Sequence, residues 1–246
     1  MKKPLRVIVL GEGKDERGKP RTLPPFTRVP HDQQGAMEIL VRRALYPLLN
    51  HGQSWHRGLK DDDGIHILQP LPPRLPRQPS MVEVLAAPDL LALFVAPLKN
   101  TPGPGVPSRP RVDLIVATHD ADAAIPAVTK ALNKVNTSLG THVPLLQPAP
   151  EIQAWLTSKR AIERAYDRVH CTVDEPDEDA LKKDAKAELQ RLLRTFGGRF
   201  DAKKQASLAE RMPVEDLGRY DWSGWNQATD ILKVALAENG LETLEP

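Results

Sequence analysis

The residues of this chain with the clearest potential for chemistry are carboxylates in three clusters: Gly11-Glu12-Gly13, Asp120-Ala121-Asp122 and Pro150-Glu151. Each cluster follows an apolar run: Leu5-Arg6-Val7-Ile8-Val9-Leu10, Val112-Asp113-Leu114-Ile115-Val116-Ala117, and Val143-Pro144-Leu145-Leu146. Parallel strands buried on both faces read as such runs, and ligands collect beyond their carboxyl ends. Carboxylates at three neighbouring strand ends would repel one another, and a divalent cation is the natural compensation. The pattern therefore predicts a metal site built from Glu12, Asp120, Asp122 and Glu151.

Each cluster also has a plainer reading. Glu12 between two glycines could be the charged tip of an ordinary turn. The i, i+2 spacing of Asp120 and Asp122 lets both carboxylates face one ion if the chain is still extended there. Asp122 could instead cap a helix starting at Ala123, and His119 beside the pair could ligate, orient or simply pack. Glu151 could be a first-turn glutamate favoured by the helix dipole, with Trp155 in the core. Gly13-Lys14-Asp15-Glu16-Arg17-Gly18-Lys19 matches the spacing of a phosphate loop. Pro20 stands where the Mg²⁺-binding hydroxyl belongs, and Pro24-Pro25 cannot continue the required helix, so that reading is discarded.

The elements that must position these residues alternate. Strands are expected near 5–10, 65–68, 112–117 and 143–146, with helices near 36–45, 88–96 and 123–135. Eleven of the 24 prolines lie between Pro70 and Pro110, which marks loop and insertion. The β-α-β order predicts an α/β fold, a mostly parallel four-stranded sheet flanked by helices with right-handed crossovers. It divides the chain into a metal-binding core over 1–150 and a helical C-terminal extension over 151–246. In the extension, helices are expected at 152–169, 178–196, 203–212 and 225–238. The acidic run Asp174 to Asp179 suits a helix N-terminus.

Composition sets limits. A hydrophobic share of 40% with 27% charged residues over 246 residues is ordinary for a globular chain, and a net charge of +2 leaves any basic patch local. The single cysteine, Cys171, excludes an internal disulfide and a multi-cysteine zinc site and fits a cytoplasmic location. The apolar run after Met1-Lys2-Lys3-Pro4 is too short for a secretory segment, and no run is long enough to span a membrane.

Glu12 to Glu16 after the first strand, followed by Asp120-x-Asp122 after a later one, resembles the TOPRIM domain of topoisomerases, bacterial primases, RecR-type recombination proteins and overcoming-lysogenization-defect nucleases. The longer similarity is to stand-alone bacterial TOPRIM-like proteins. It adds Glu151-Ile152-Gln153-Ala154-Trp155-Leu156, the tail Lys204 to Met212, and the aromatic pair Trp222 and Trp225, over about Leu5 to Leu236. Gly11 before the glutamate, Lys14-Asp15 after it, and a long loop from Arg17 to Gln34 depart from the family's pattern. The resemblance implies Glu12, Asp120 and Asp122 as catalytic residues, with Glu151 completing the shell of Mg²⁺ or Mn²⁺. It also implies phosphodiester hydrolysis in DNA and an ATPase subunit encoded nearby in an antiviral defence setting. A second copy of the chain is a further candidate partner.

A DNA surface should be positive. Lys14 and Arg17 stud the loop after Glu12, and Arg160 and Arg164 are i, i+4 neighbours on the helix expected after Glu151. Arg164 could instead pair with Glu163 or Asp167. Tyr46, Tyr166 and Tyr220 sit in helical or turn contexts that suit packing, so strand passage by a tyrosine nucleophile is not expected. Two other readings compete with a nuclease: a non-catalytic subunit that docks on an ATPase, and a phosphatase or nucleotidyl transferase acting on a small substrate.

Overall fold

The computed structural model describes residues 4–11, 23–49, 64–70, 79–96, 112–122, 124–166, 173–194, 196–197 and 200–241. Four strands, β1 (Leu5–Gly11), β2 (Ile65–Ile67), β3 (Leu114–Thr118) and β4 (Leu145–Leu146), form one all-parallel sheet in the order β2-β1-β3-β4. Val7 pairs with Leu114 and Gly11 with Thr118, while Thr118 pairs with Leu146 on its other side. Asp113 fixes the register of the central pair. Its carboxylate accepts from the Arg6 amide at 2.9 Å, and its own amide donates to the Arg6 carbonyl at 2.9 Å.

Alternation along the central strands builds two cores. Leu5, Val7 and Val9 of β1 and Leu114 and Val116 of β3 face α1 (Ala36–Leu49). Ile8, Leu10, Ile115 and Ala117 face the opposite layer, α2 (Met81–Ala86), α3 (Pro88–Val95) and α4 (Ile125–Leu139). Each fully buried aliphatic side chain contributes about 1.5–3 kcal/mol, so the central strands anchor both layers. Chain direction explains the split: β1 crosses to β2 one way and every later crossover runs the other, which places helices on both faces.

The helices after Glu151 do not stand apart from the sheet. They are α5 (Ile152–Leu156), α6 (Lys159–Tyr166), α7 (Glu178–Arg194), α8 (Ala202–Arg211), α9 (Val214–Leu217) and α10 (Trp225–Glu238). Trp155, Leu208, Trp225 and Leu232 belong to the same core cluster as Val7 and Leu40. Trp155 meets Trp225 edge-on at 5.1 Å and donates its indole N–H to the Ser223 carbonyl at 2.6 Å. Gly224 starts α10 at φ +80°, where a Cβ would come within 2.6 Å of the Gln147 carbonyl oxygen, so glycine is required there. Arg43 is buried in α1, and its guanidinium donates to the carbonyls of Ala209, Glu210 and Met212 at 2.8, 3.0 and 2.5 Å, tying α1 to the end of α8. Burial pushes this guanidinium down to about 10, which leaves it charged at neutral pH.

Some elements differ from the sequence-based expectation. The helix expected over 152–169 is two helices, because the chain leaves helical geometry at Thr157 and Ser158 starts α6 by accepting from the Ala161 amide at 3.2 Å. The helix over 178–194 is interrupted at Asp184, with φ −160° and ψ 87°. The short helix α2, opened by a Ser80–Glu83 capping box, lies within the stretch read as loop.

Candidate functional site

The strand order places the reversal of chain direction between β1 and β3, and in open parallel sheets ligands bind outside the carboxyl ends at that point. Gly11 ends β1 there, opposite Thr118. Glu12, Lys14 and Arg17 lie outside the described residues. His119, Asp120 and Asp122 leave β3 at this edge, and Glu151 lies five residues beyond β4.

The exit from β3 stays attached to the exit from β4. The His119 amide donates to the Leu146 carbonyl at 3.1 Å and the Ala121 amide to the Pro148 carbonyl at 3.0 Å. The chain then turns sharply at Ala121, because the Asp122 amide donates to the Asp120 carbonyl at 2.8 Å. Asp120 and Asp122 therefore leave a tight turn rather than one face of an extended strand. The buried His119 ring reinforces this turn, with Nδ1 2.8 Å from the same Asp120 carbonyl and 3.7 Å from Asp122 Oδ1. A carbonyl only accepts, so that contact places the proton on Nδ1.

Each carboxylate also has a structural task. Asp122 Oδ1 accepts from the Ala124 amide at 2.7 Å, holding the turn into α4, while the side chain remains 54% exposed. Asp120 Oδ1 accepts from the Ile152 amide at 3.0 Å, so it caps α5 from across the sheet. Glu151 starts α5 without capping it. Its Oε1 accepts from the Lys186 amide at 2.7 Å, beside Asp184, whose Oδ1 accepts from the Ala187 amide at 2.8 Å. The two carboxylates together cap the second segment of α7.

Asp120 and Asp122 are hard oxygen donors of the kind Mg²⁺ and Mn²⁺ take. Among the described residues, no three His, Cys, Asp or Glu side chains form a group able to hold a metal ion. A cation held here would need a further donor, and Glu12 is the candidate adjoining Gly11.

The basic candidates divide. Arg160 is committed within the protein: it donates to Glu215 Oε1 at 2.7 Å and Asp216 Oδ2 at 3.2 Å, and pairs with Asp216 Oδ1. The hydrogen bond to Asp216 is the main reason its guanidinium is held above its ordinary value. Arg164 is exposed, and its guanidinium lies 3.5 Å from the Arg211 carbonyl. Sequence reasoning missed Glu38 and Arg42, which are only 2% and 1% exposed on α1. Glu38 Oε2 accepts from the Gly35 amide at 2.8 Å, and Arg42 donates to Gln34 Oε1 at 3.3 Å. The available signal was that α1 is apolar or buried nearly all round, which forces its charges inward as well.

A groove of about 390 Å³ lies elsewhere, at the amino end of β4, between α4 and α10. Its lining includes Leu132, Asn136, Val143, Leu145 and Ile231 and none of the strand-end carboxylates. No described helix is long and apolar enough to cross a membrane. No protein-family model, curated protein or solved structure matches this chain.

Proposed function

We propose that the chain is a metal-dependent phosphodiesterase of the TOPRIM kind that acts on DNA, with its site at the carboxyl ends of β1 and β3. The observation that carries this reading is the strand order. An all-parallel β2-β1-β3-β4 sheet makes β1 and β3 neighbours at the reversal point, and the Asp120-Ala121-Asp122 turn leaves β3 there. Asp120 and Asp122, with Glu12, would hold Mg²⁺ or Mn²⁺. The ion, when bound, would supply charge neutralisation at the scissile phosphate. Around it, His119 holds the turn through the Asp120 carbonyl, and the Ile152 amide fixes the orientation of the Asp120 carboxylate. An ATPase partner and a role in antiviral defence rest on the family resemblance.

A second reading has its own support. Asp120 and Glu151 each accept from the first turn of a helix, a role that needs no ligand, and this favours a non-catalytic subunit on the same fold. Incubation of the protein with supercoiled plasmid and single-stranded DNA in Mg²⁺ or Mn²⁺ separates the two. Cleavage by the native chain, lost in Asp122→Asn and Asp120→Asn, supports the hydrolase. Absence of cleavage in both metals by the folded protein supports the subunit.

A further inference from the structure

Several exposed cations on the C-terminal helices are neutralised where they stand. Arg160 pairs with Glu215 and Asp216, Arg191 with Glu188, and Lys182 with Glu178. The face shared by α6 and α8 differs. Arg164, Lys203 and Lys204 make no ion pair with any carboxylate among the described residues, and Arg164 and Lys203 are exposed. Arg164 and Arg211 are brought side by side, each guanidinium donating to the other residue's main-chain carbonyl.

Lys203 and Lys204 occupy the first turn of α8, where the helix dipole disfavours cations. The neighbouring Asp201 carboxylate accepts from the Lys204 amide at 2.8 Å as the helix cap. Burial, then Arg211 and Lys203, hold the Lys204 ammonium below its ordinary 10.5, while the nearby Asp201 carboxylate opposes them. Lys204 and Arg211 are seven residues apart on one helix, about 10 Å along its axis. Arg164, Lys203 and Lys204, which have no carboxylate ion pair among the described residues, suit an anion with several charges in a row.

We propose that the α6–α8 face, through Arg164, Lys203, Lys204 and Arg211, binds the phosphate backbone of a nucleic acid. Recognition is of phosphates rather than bases. The aromatic ring in this face, Tyr166, is stacked on Phe196 at 4.7 Å and lies under the Lys204 ammonium at 3.7 Å, so it offers no platform for a base. A membrane surface fits less well. Insertion needs apolar side chains beside the cations, and among the described residues the exposed large apolar side chains, Val82, Leu93 and Val234, lie on α2, α3 and α10. The surface follows from charge and packing alone, whether or not the strand ends hydrolyse phosphodiesters.

The test is fluorescence anisotropy of a labelled DNA duplex, and of one of its strands alone, titrated with the full chain in EDTA over a range of salt. Hydrolysis then plays no part in the readout. The double variant Arg164→Glu/Lys203→Glu should bind about tenfold or more weakly at low salt, with a salt slope lower by about 1 for each phosphate no longer neutralised. Lys233→Glu on α10 should change neither. Equal affinity and slope for the native chain and the double variant would overturn the proposal. So would an absence of DNA binding at low salt, or binding to anionic phospholipid vesicles in preference to DNA.

Discussion

Asp120 Oδ1 stands 3.0 Å from the amide nitrogen of Ile152, thirty-two residues further along the chain. This hydrogen bond joins the exit of β3 to the first turn of α5, and through Trp155 and Ser223 to the start of α10. A group offered by its sequence spacing as a metal ligand thus also fixes one helix of the C-terminal part to the sheet. Asp120→Ala should lose a cap contribution of about 0.5–2 kcal/mol in urea unfolding. Asp120→Asn keeps an acceptor oxygen and should retain most of it. Equal losses in both variants would show that charge, not the hydrogen bond, matters at this position.

Glu151 and Asp184 share the amino end of the second segment of α7 through Lys186 and Ala187. Glu151→Ala should raise amide exchange at Lys186 first and leave Ala187, held by Asp184, less affected. Asp184→Ala should show the reverse pattern. Uniform protection in both variants would contradict the shared cap.

Arg43 closes the carboxyl end of α8 with three hydrogen bonds from one planar group. Arg43→Met fills the volume but orphans three carbonyls, and should cost about 1–3 kcal/mol or more on chemical unfolding. Arg43→Lys should recover only part of the loss, because an ammonium cannot reproduce the fork.

Acid should weaken the α7 region in a defined window. Hydrogen bonds from Arg191 at 2.7 and 2.8 Å are the main cause holding the Glu188 carboxyl below its ordinary 4.5. Burial opposes them and the Asp177 amide adds to them. The folded-state value is the lower one, so this stabilisation is fully present above about pH 4.5 and is lost as pH falls through the folded value. Glu188→Gln should therefore flatten the acid limb of a stability–pH curve while leaving its shape between about pH 6 and 7 little changed. An unchanged acid limb would contradict the assignment.

The sheet was legible because its central strands are continuous apolar runs, and α10 was read at Trp225–Glu238 from its spacing. The break at Thr157 and Ser158 was harder to see, since it depends on Ser158 turning to Asp216, fifty-eight residues away. The Ser80–Glu83 capping box was visible in the sequence but sat among prolines that favoured a loop reading. At the strand ends, residue types and order predicted the positions of Asp120 and Asp122 relative to β3. The turn at Ala121 and the partners of Asp120 and Glu151 were not legible, because amides of Ile152 and Lys186 reach them only once the helices pack. Arg160 was read as a DNA-surface candidate without its acidic partners for the same reason: Glu215 and Asp216 lie more than fifty residues away.

A metal site at the ends of β1 and β3 is best probed by calorimetric titration of Mn²⁺ into the native chain, Asp122→Asn and Glu12→Gln. Saturable binding is expected for the native chain and should disappear in both variants, with the metal-free unfolding midpoint of Asp122→Asn unchanged. Native-like binding by Asp122→Asn, or no binding by the folded native chain, would contradict a metal site there.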